Sequence, residues 1–204
     1  MFGSVRQVIC VCAALIGVSQ GVFATPFTYS ESASGDLGQF LPSAKVFAFA
    51  PGDNTVSGHF FQTLNGSAVD IDSFAFSVPL GDMLTSLTFE WTISTIGNVT
   101  GANVLFSLKG ANSGAPTLGN SSFSLRPSGS LLLFGTVLPE GPGTYAIANN
   151  SLSISGSGNT TRWDVDYTWH ATVAAPAAVP EPASLLLVAT GLFIGRQLGR
   201  RRMS

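Results

Sequence analysis

The chain has 204 residues, a net charge of −2 and only 10% charged residues, against a usual ~25%. Its 45% hydrophobic content and 15 phenylalanines are enough to bury a core, which excludes wholesale disorder. No basic field is present, which excludes a nucleic-acid partner.

Residues 1–24 read as a secretory signal peptide. Arg6 supplies a short positive region, and Val8 to Val18 forms an apolar run too brief to span a bilayer. Val22-Phe23-Ala24 then places small residues before a cleavage point after Ala24. Cys10 and Cys12, the two cysteines of the chain, both lie in this segment. The mature chain is therefore expected to lack disulfides, thiol catalysis and cysteine metal sites.

Residues 25–174 read as one all-β domain. Phe74, Phe76 and Val78 alternate with smaller or polar residues. Leu87, Phe89, Trp91 and Ile93 do the same against Thr88, Glu90 and Thr92. The pattern recurs at Val104, Phe106 and Leu108, and again at Trp163, Val165, Tyr167 and Trp169. Strict period two gives strands with one buried and one wet face. Leu131 to Phe134 is continuously apolar, which predicts a central core strand. Turn chemistry falls between the strands, at 51–54, 65–66, 79–82, 127–129 and 139–143. The expectation is an antiparallel β-sandwich, jelly-roll-like, of about eight or nine strands. Its four basic and ten acidic residues over 25–175 leave a charge of −6.

Residues 175–182 form a linker ending in Val179, Pro180, Glu181 and Pro182. Residues 183–204 follow as a short apolar helix and a basic tail. Pro182 to Gly199 would measure ~27 Å as a helix, just enough to cross a ~30 Å hydrocarbon core if Arg196 snorkels to the interface. Arg196, Arg200, Arg201 and Arg202 then keep the C-terminus cytoplasmic by the positive-inside rule. This orientation agrees with the exported domain that the signal peptide predicts. Two prolines flanking one carboxylate hold the backbone extended and give a processing enzyme a charged handle.

Val-Pro-Glu-Pro, an apolar helix and a terminal arginine cluster, in that order over residues 179–204, resemble the PEP-CTERM sorting signal of Gram-negative bacteria. The resemblance implies recognition by an exosortase, a membrane processing enzyme, with Pro180, Glu181 and Pro182 as the recognised motif. It also implies a transient membrane anchor, followed by a place at the cell surface or outside the cell, in association with exopolysaccharide and biofilm. In the centre, Asp53-Asn54-Thr55-Val56-Ser57-Gly58, the stretch Asp70 to Gly81, and Gly143-Thr144-Tyr145 resemble the bacterial pre-peptidase C-terminal β-sandwich. That domain usually accompanies secreted hydrolases, and no peptidase is attached here.

Asp70 and Asp72 share a strand face at i and i+2, and Asp53 with Asn54 could approach from a nearby turn. Grouped hard oxygens suit calcium. The competing and favoured reading is aspartates that cap turns, so no metal or other cofactor is expected. Asp164 and Asp166 read as a solvated face. His59 and His170 read as surface histidines without zinc partners. Gly-x-Ser-x-Gly is absent, and no carboxylate pair stands out for glycoside hydrolysis. The three tryptophans and Tyr167 could form a sugar-stacking platform, but their shared strand face favours the core. The Asn-x-Ser/Thr sites at Asn65, Asn98, Asn120, Asn149 and Asn159 read as exposed turn and strand chemistry. The expected role is a non-enzymatic structural or adhesive protein. A calcium- or carbohydrate-binding module is the alternative, and a secreted hydrolase is disfavoured.

Overall fold

The computed structural model describes residues 24–39, 41, 44–66, 68–110, 115–124 and 127–176. The signal segment up to residue 23 and the sorting segment from residue 177 lie outside the described residues. Ala24, at the expected cleavage point, is exposed and without regular structure. No helix among the described residues is long and apolar enough to cross a membrane.

Nine strands account for nearly all the regular structure among the described residues. They are β1 (Thr28–Ser30), β2 (Lys45–Ala48), β3 (Gly52–Thr63), β4 (Val69–Asp70), β5 (Ser73–Val78), β6 (Met83–Gly110), β7 (Thr117–Ser124), β8 (Ser128–Leu133) and β9 (Gly143–Ala174). A single helical turn, α1 (Glu31–Ser34), follows β1 directly.

The long strands β6 and β9 organise everything else. They pair antiparallel along their whole length, from Met83 opposite Ala174 to Gly110 opposite Tyr145. Midway the ribbon turns a corner. Pairing passes from Ile96–Arg162 to Asn98–Ser157, so residues 158–161 leave the ladder, and a second register shift follows between Val99 and Gly101. Bulges of this kind bend a strand and re-aim its faces. Gly97 permits the corner, since its φ is 84° and a Cβ there would fall 2.6 Å from Thr161 Oγ1.

Each half of the ribbon is the middle of a sheet. The first sheet runs β2, β5, the start of β9, the end of β6, then β7. The second runs β1, β3, the end of β9, the start of β6, then β8, with β4 added beside β3. The main ladders are antiparallel, as expected. Two short edge strands, β1 beside β3 and β2 beside β5, join in parallel. The sheets are therefore mixed, and the expected strand count holds.

The period-two faces meet between the sheets. Trp169 from the second sheet lies 5.0 Å from Phe106, edge-on, and 6.3 Å from Phe74 of the first. Trp91 lies 5.3 Å from Phe123, with the rings tilted. Trp163, Tyr167 and Trp169 are all buried. They are core, and no exposed aromatic platform forms from them.

Leu131 to Phe134 departs from expectation. Among the described residues β8 pairs with β6 alone, opposite Leu87–Thr92. It is an edge strand, so Leu131 and Leu132 are 39% and 60% exposed while Leu133 and Phe134 point inward. A continuous apolar run marks two-sided burial only where other layers cover both faces of the sheet, and Leu132 lies opposite Thr88 on the outer face.

Candidate functional site: a carboxylate cluster under an open groove

One edge of β3 is covered in two pieces. β1 lies along Thr55–Ser57, and β4 lies along Phe61 and Gln62. Gly58 to Phe60 falls between them. Here the side chain of Glu31, the first residue after β1, stands in for a strand. Its Oε2 accepts the backbone N–H of His59 at 2.7 Å, and its Oε1 accepts that of Leu37 at 2.8 Å. Leu37 is buried in the core, which pins the loop after α1 against the sandwich. In that loop Asp36 accepts the N–H of Gly38 at 3.1 Å. From the other side β4 delivers Asp70, opposite Phe61, and the chain then turns inward at Asp72.

Asp72 is 6% exposed. Its Oδ2 accepts the Tyr167 hydroxyl at 2.8 Å, while its Oδ1 is buried without a hydrogen-bond partner. Tyr167 stands opposite Gly58 in the β3–β9 ladder. A Cβ at Gly58 would fall 2.5 Å from the Tyr167 hydroxyl and closer still to Glu31 Oε2. Only glycine leaves room for both groups. Glu31, Asp36 and Asp72 bring one carboxylate oxygen each to within 4.8 Å of one another.

The electrostatics follow from burial and like charge. Burial first, then the neighbouring Glu31 carboxylate, pushes the Asp72 carboxyl up to about 8, against an ordinary 3.8. Burial also raises Glu31, opposed by its two backbone N–H bonds. Asp70 is raised by burial and then by Asp36, with opposition from the Gln39 side chain, His59 and Arg162. The Tyr167 hydroxyl is pushed well above 10, chiefly by burial and then by Asp72, so it stays a neutral donor. Among the described residues no lysine or arginine forms an ion pair with Glu31, Asp36 or Asp72.

A stability prediction follows from Asp72. The groups facing it are Glu31 and Asp36 from α1 and its loop, Asp70 after β4, and Tyr167 from β9. A carboxyl whose folded pKa is raised keeps its proton in the folded chain at pH values where the unfolded chain has lost it. Between about 4 and about 8 the folded state binds more protons, so stability falls as pH rises through that window. The exported protein, kept in chelator, should melt at a lower temperature at pH 8.5 than at pH 5, and Asp72→Asn should flatten the slope. Melting curves that coincide for the two proteins at both pH values would refute this.

Over the cluster opens a groove of about 890 Å³. It crosses the outer face of the second sheet, from Glu31 and His59 past Asp166 and Thr168 to Glu90 and Ser130. The alternation that buries Phe89, Trp91, Tyr167 and Trp169 turns their polar neighbours toward this face.

The calcium candidates read from the sequence separate in space. Asp70 and Asp72 stand at the cluster. Asp53 does not join the group. It extends from β3 on the wet face, where its Oδ2 lies 3.0 Å from His170 Nδ1. Asn54 is a core group rather than a ligand: its amide is fully hydrogen-bonded to Phe27, Ala50 and Ala171 backbone atoms. The expected solvated face at Asp164 is also corrected. Its side chain is 14% exposed and paired with both Arg162 and His59, because β3 and β9 place all three within reach. Glu31, Asp36, Gly58 and Tyr167 carried no local signal, since they lie far from Asp72 in sequence and meet only through the sheet pairing.

The remaining predicted site is linear. Val179, Pro180, Glu181 and Pro182, with Arg196, Arg200, Arg201 and Arg202, lie outside the described residues. They fall within residues 178–202, which match the PEP-CTERM protein-sorting motif. The chain carries a PEP-CTERM sorting motif. The motif implies export, transient anchoring in the membrane and processing by an exosortase, itself a membrane enzyme. No curated protein matches the chain. Three solved structures give remote likenesses. A CBM4 structure is 12% identical with a TM-score of 0.27, covering 59% of this chain and 82% of that one. A Turnip Yellow Mosaic Virus structure is 12% identical with a TM-score of 0.25, over 64% and 99%. The Tobacco streak virus coat protein is 11% identical with a TM-score of 0.23, over 66% and 93%. At such TM-scores none of them bears on what this protein does.

Proposed function

We propose that this exported, exosortase-sorted protein is a non-enzymatic structural or adhesive element of the cell surface or extracellular matrix, and that its sandwich contacts exopolysaccharide. The groove across the second sheet is the observation that carries this reading. It is open, and its walls present hydroxyls and carboxylates from Ser57, Glu90, Thr92, Ser130, Asp166 and Thr168. Such groups exchange hydrogen bonds with sugar hydroxyls along an extended chain, and an open groove admits a polymer without an end. The histidines support a non-enzymatic role. His59 is held by Asp164, and His170 by Asp53 and Glu90. Among the described residues neither forms a hydrogen bond with a serine.

The test is co-sedimentation of the exported protein with exopolysaccharide from the producing bacterium. Saturable binding is expected. Thr168→Trp, which fills the groove from an outward-facing position, should weaken it at least about tenfold, in keeping with the loss of one to two kcal/mol of contact, while leaving the melting temperature unchanged. Absence of binding by the unaltered protein, or equal binding by the variant, would reject the polysaccharide contact. Release of new reducing ends from the polymer would reject the non-enzymatic reading.

A further inference from the structure

We propose that Glu31, Asp36 and Asp72 hold a calcium ion that fastens α1 and its loop to the β3–β9 face of the sandwich. One carboxylate oxygen from each lies within 4.8 Å of the others. Two ligands on opposite sides of a calcium ion, each at ~2.4 Å, stand about that far apart. Acidic clusters are common on surfaces without any ion, so proximity alone decides nothing. The deciding observation is Asp72. Its side chain is 6% exposed, and its Oδ1 is buried with no hydrogen-bond partner although Oδ2 is satisfied by Tyr167. A buried carboxylate oxygen left without a partner is costly, and a cation bound by the Asp72 carboxylate would supply one.

The surroundings fit the same occupant. The ion pairs among the described residues leave all three carboxylates without a lysine or arginine. Gly58 keeps open the space beside Glu31 and the Tyr167 hydroxyl that any Cβ would enter. The donors are all hard oxygens, which select calcium or magnesium over zinc or copper. Asp36 and Asp72 sit on irregular chain, outside α1 and β4, and such segments adapt to the six to eight ligands of calcium more readily than to a rigid magnesium octahedron. Backbone carbonyls and water complete the shell. The ion would tie residues 31–36 to residue 72 and neutralise their mutual repulsion. Export places the site where calcium is abundant, so a dissociation constant of about 10⁻⁴–10⁻³ M, typical of extracellular modules, is sufficient.

The experiment uses the exported protein, stripped with chelator and titrated with calcium chloride. Equilibrium dialysis should find one ion per chain, and the melting temperature should climb as the site fills. Asp72→Asn should lower the affinity at least about tenfold by removing one ligand charge and should abolish the calcium-dependent rise. This variant is expected to fold, because the neutral amide matches the carboxyl in shape and its oxygen can still accept the Tyr167 hydroxyl. Glu31→Gln provides a second, independent loss. No saturable binding, or an undiminished calcium response in both variants, would overturn the proposal. An equal response to magnesium chloride would overturn the assignment to calcium. Ion count and melting temperature report on the cluster whether or not the groove takes polysaccharide.

Discussion

Replacing Pro180-Glu181-Pro182 with three alanines is expected to leave a full-length precursor held in the membrane. Two physical effects act together. Each proline fixes φ and biases its predecessor toward extended backbone, so the sequence is expected to keep this stretch out of helix and open to an enzyme's grip. Alanine has the highest helix propensity, so the variant stretch is expected to join any helix that the apolar residues after it form in the membrane, which would withdraw the backbone from reach. The same change removes the only charge that a basic pocket could read. Immunoblotting of membrane and released fractions, with intact-mass measurement of the released protein, checks the outcome. Wild type should yield a product truncated at the sorting segment, and the variant should yield none. Identical processed bands would overturn the assignment of the motif. Exchanging only Arg200, Arg201 and Arg202 for alanine is a useful contrast. It spares the grip and weakens the positive-inside signal, so any loss of processing there reports on orientation.

Trp169→Ala should come close to unfolding the exported domain. Trp169 is 3% exposed and sits where the sheets meet. Its ring lies 4.9 Å from Phe89, 5.0 Å from Phe106 and 6.3 Å from Phe74. In the ladder it is flanked by Val56 on β3 and Phe89 on β6. Removing a buried indole costs about 3–5 kcal/mol, out of a total near 5–15 kcal/mol for a domain. The melting temperature should fall by about 6–20 °C at 2–4 °C per kcal/mol. Leu132→Ala on the edge strand is the control, because a residue 60% exposed should change stability by less than about 0.5 kcal/mol. Thermal or urea unfolding of both variants decides the matter. Equal stability of the two would mean that the sheets do not pack through Trp169.

The particular strands show why much of the fold was legible and some was not. At Leu87–Ile93 and Trp163–Val173, alternation over many residues identifies both the strand and its buried face, because side chains on a strand must point in alternate directions. Leu131–Phe134 misleads for the opposite reason. Hydropathy reports which residues avoid water, whereas burial on both sides depends on whether another layer covers the outer face of the sheet, and Leu132 on that face is left exposed. The parallel pairing of β1 with β3 and of β2 with β5 left no mark either, since three or four residues are too few to carry a directional pattern. At the cluster, Asp70 and Asp72 were visible through their spacing. Glu31 was not, because its role comes from a gap between β1 and β4 along the edge of β3.

By itself the sequence determined that this protein carries an export and sorting signal, and what class of fold it adopts. A sorting address is a linear text, read by enzymes from an extended chain and an apolar length, and strand periodicity is equally local. Only the tertiary structure decided that one bent ribbon, β6 with β9, serves both sheets. The same structure carries Glu31 and Asp36 across some forty residues of chain to meet a buried Asp72. Contacts between distant residues depend on strand order and register, which follow from how all the faces pack at once and are written in no single segment.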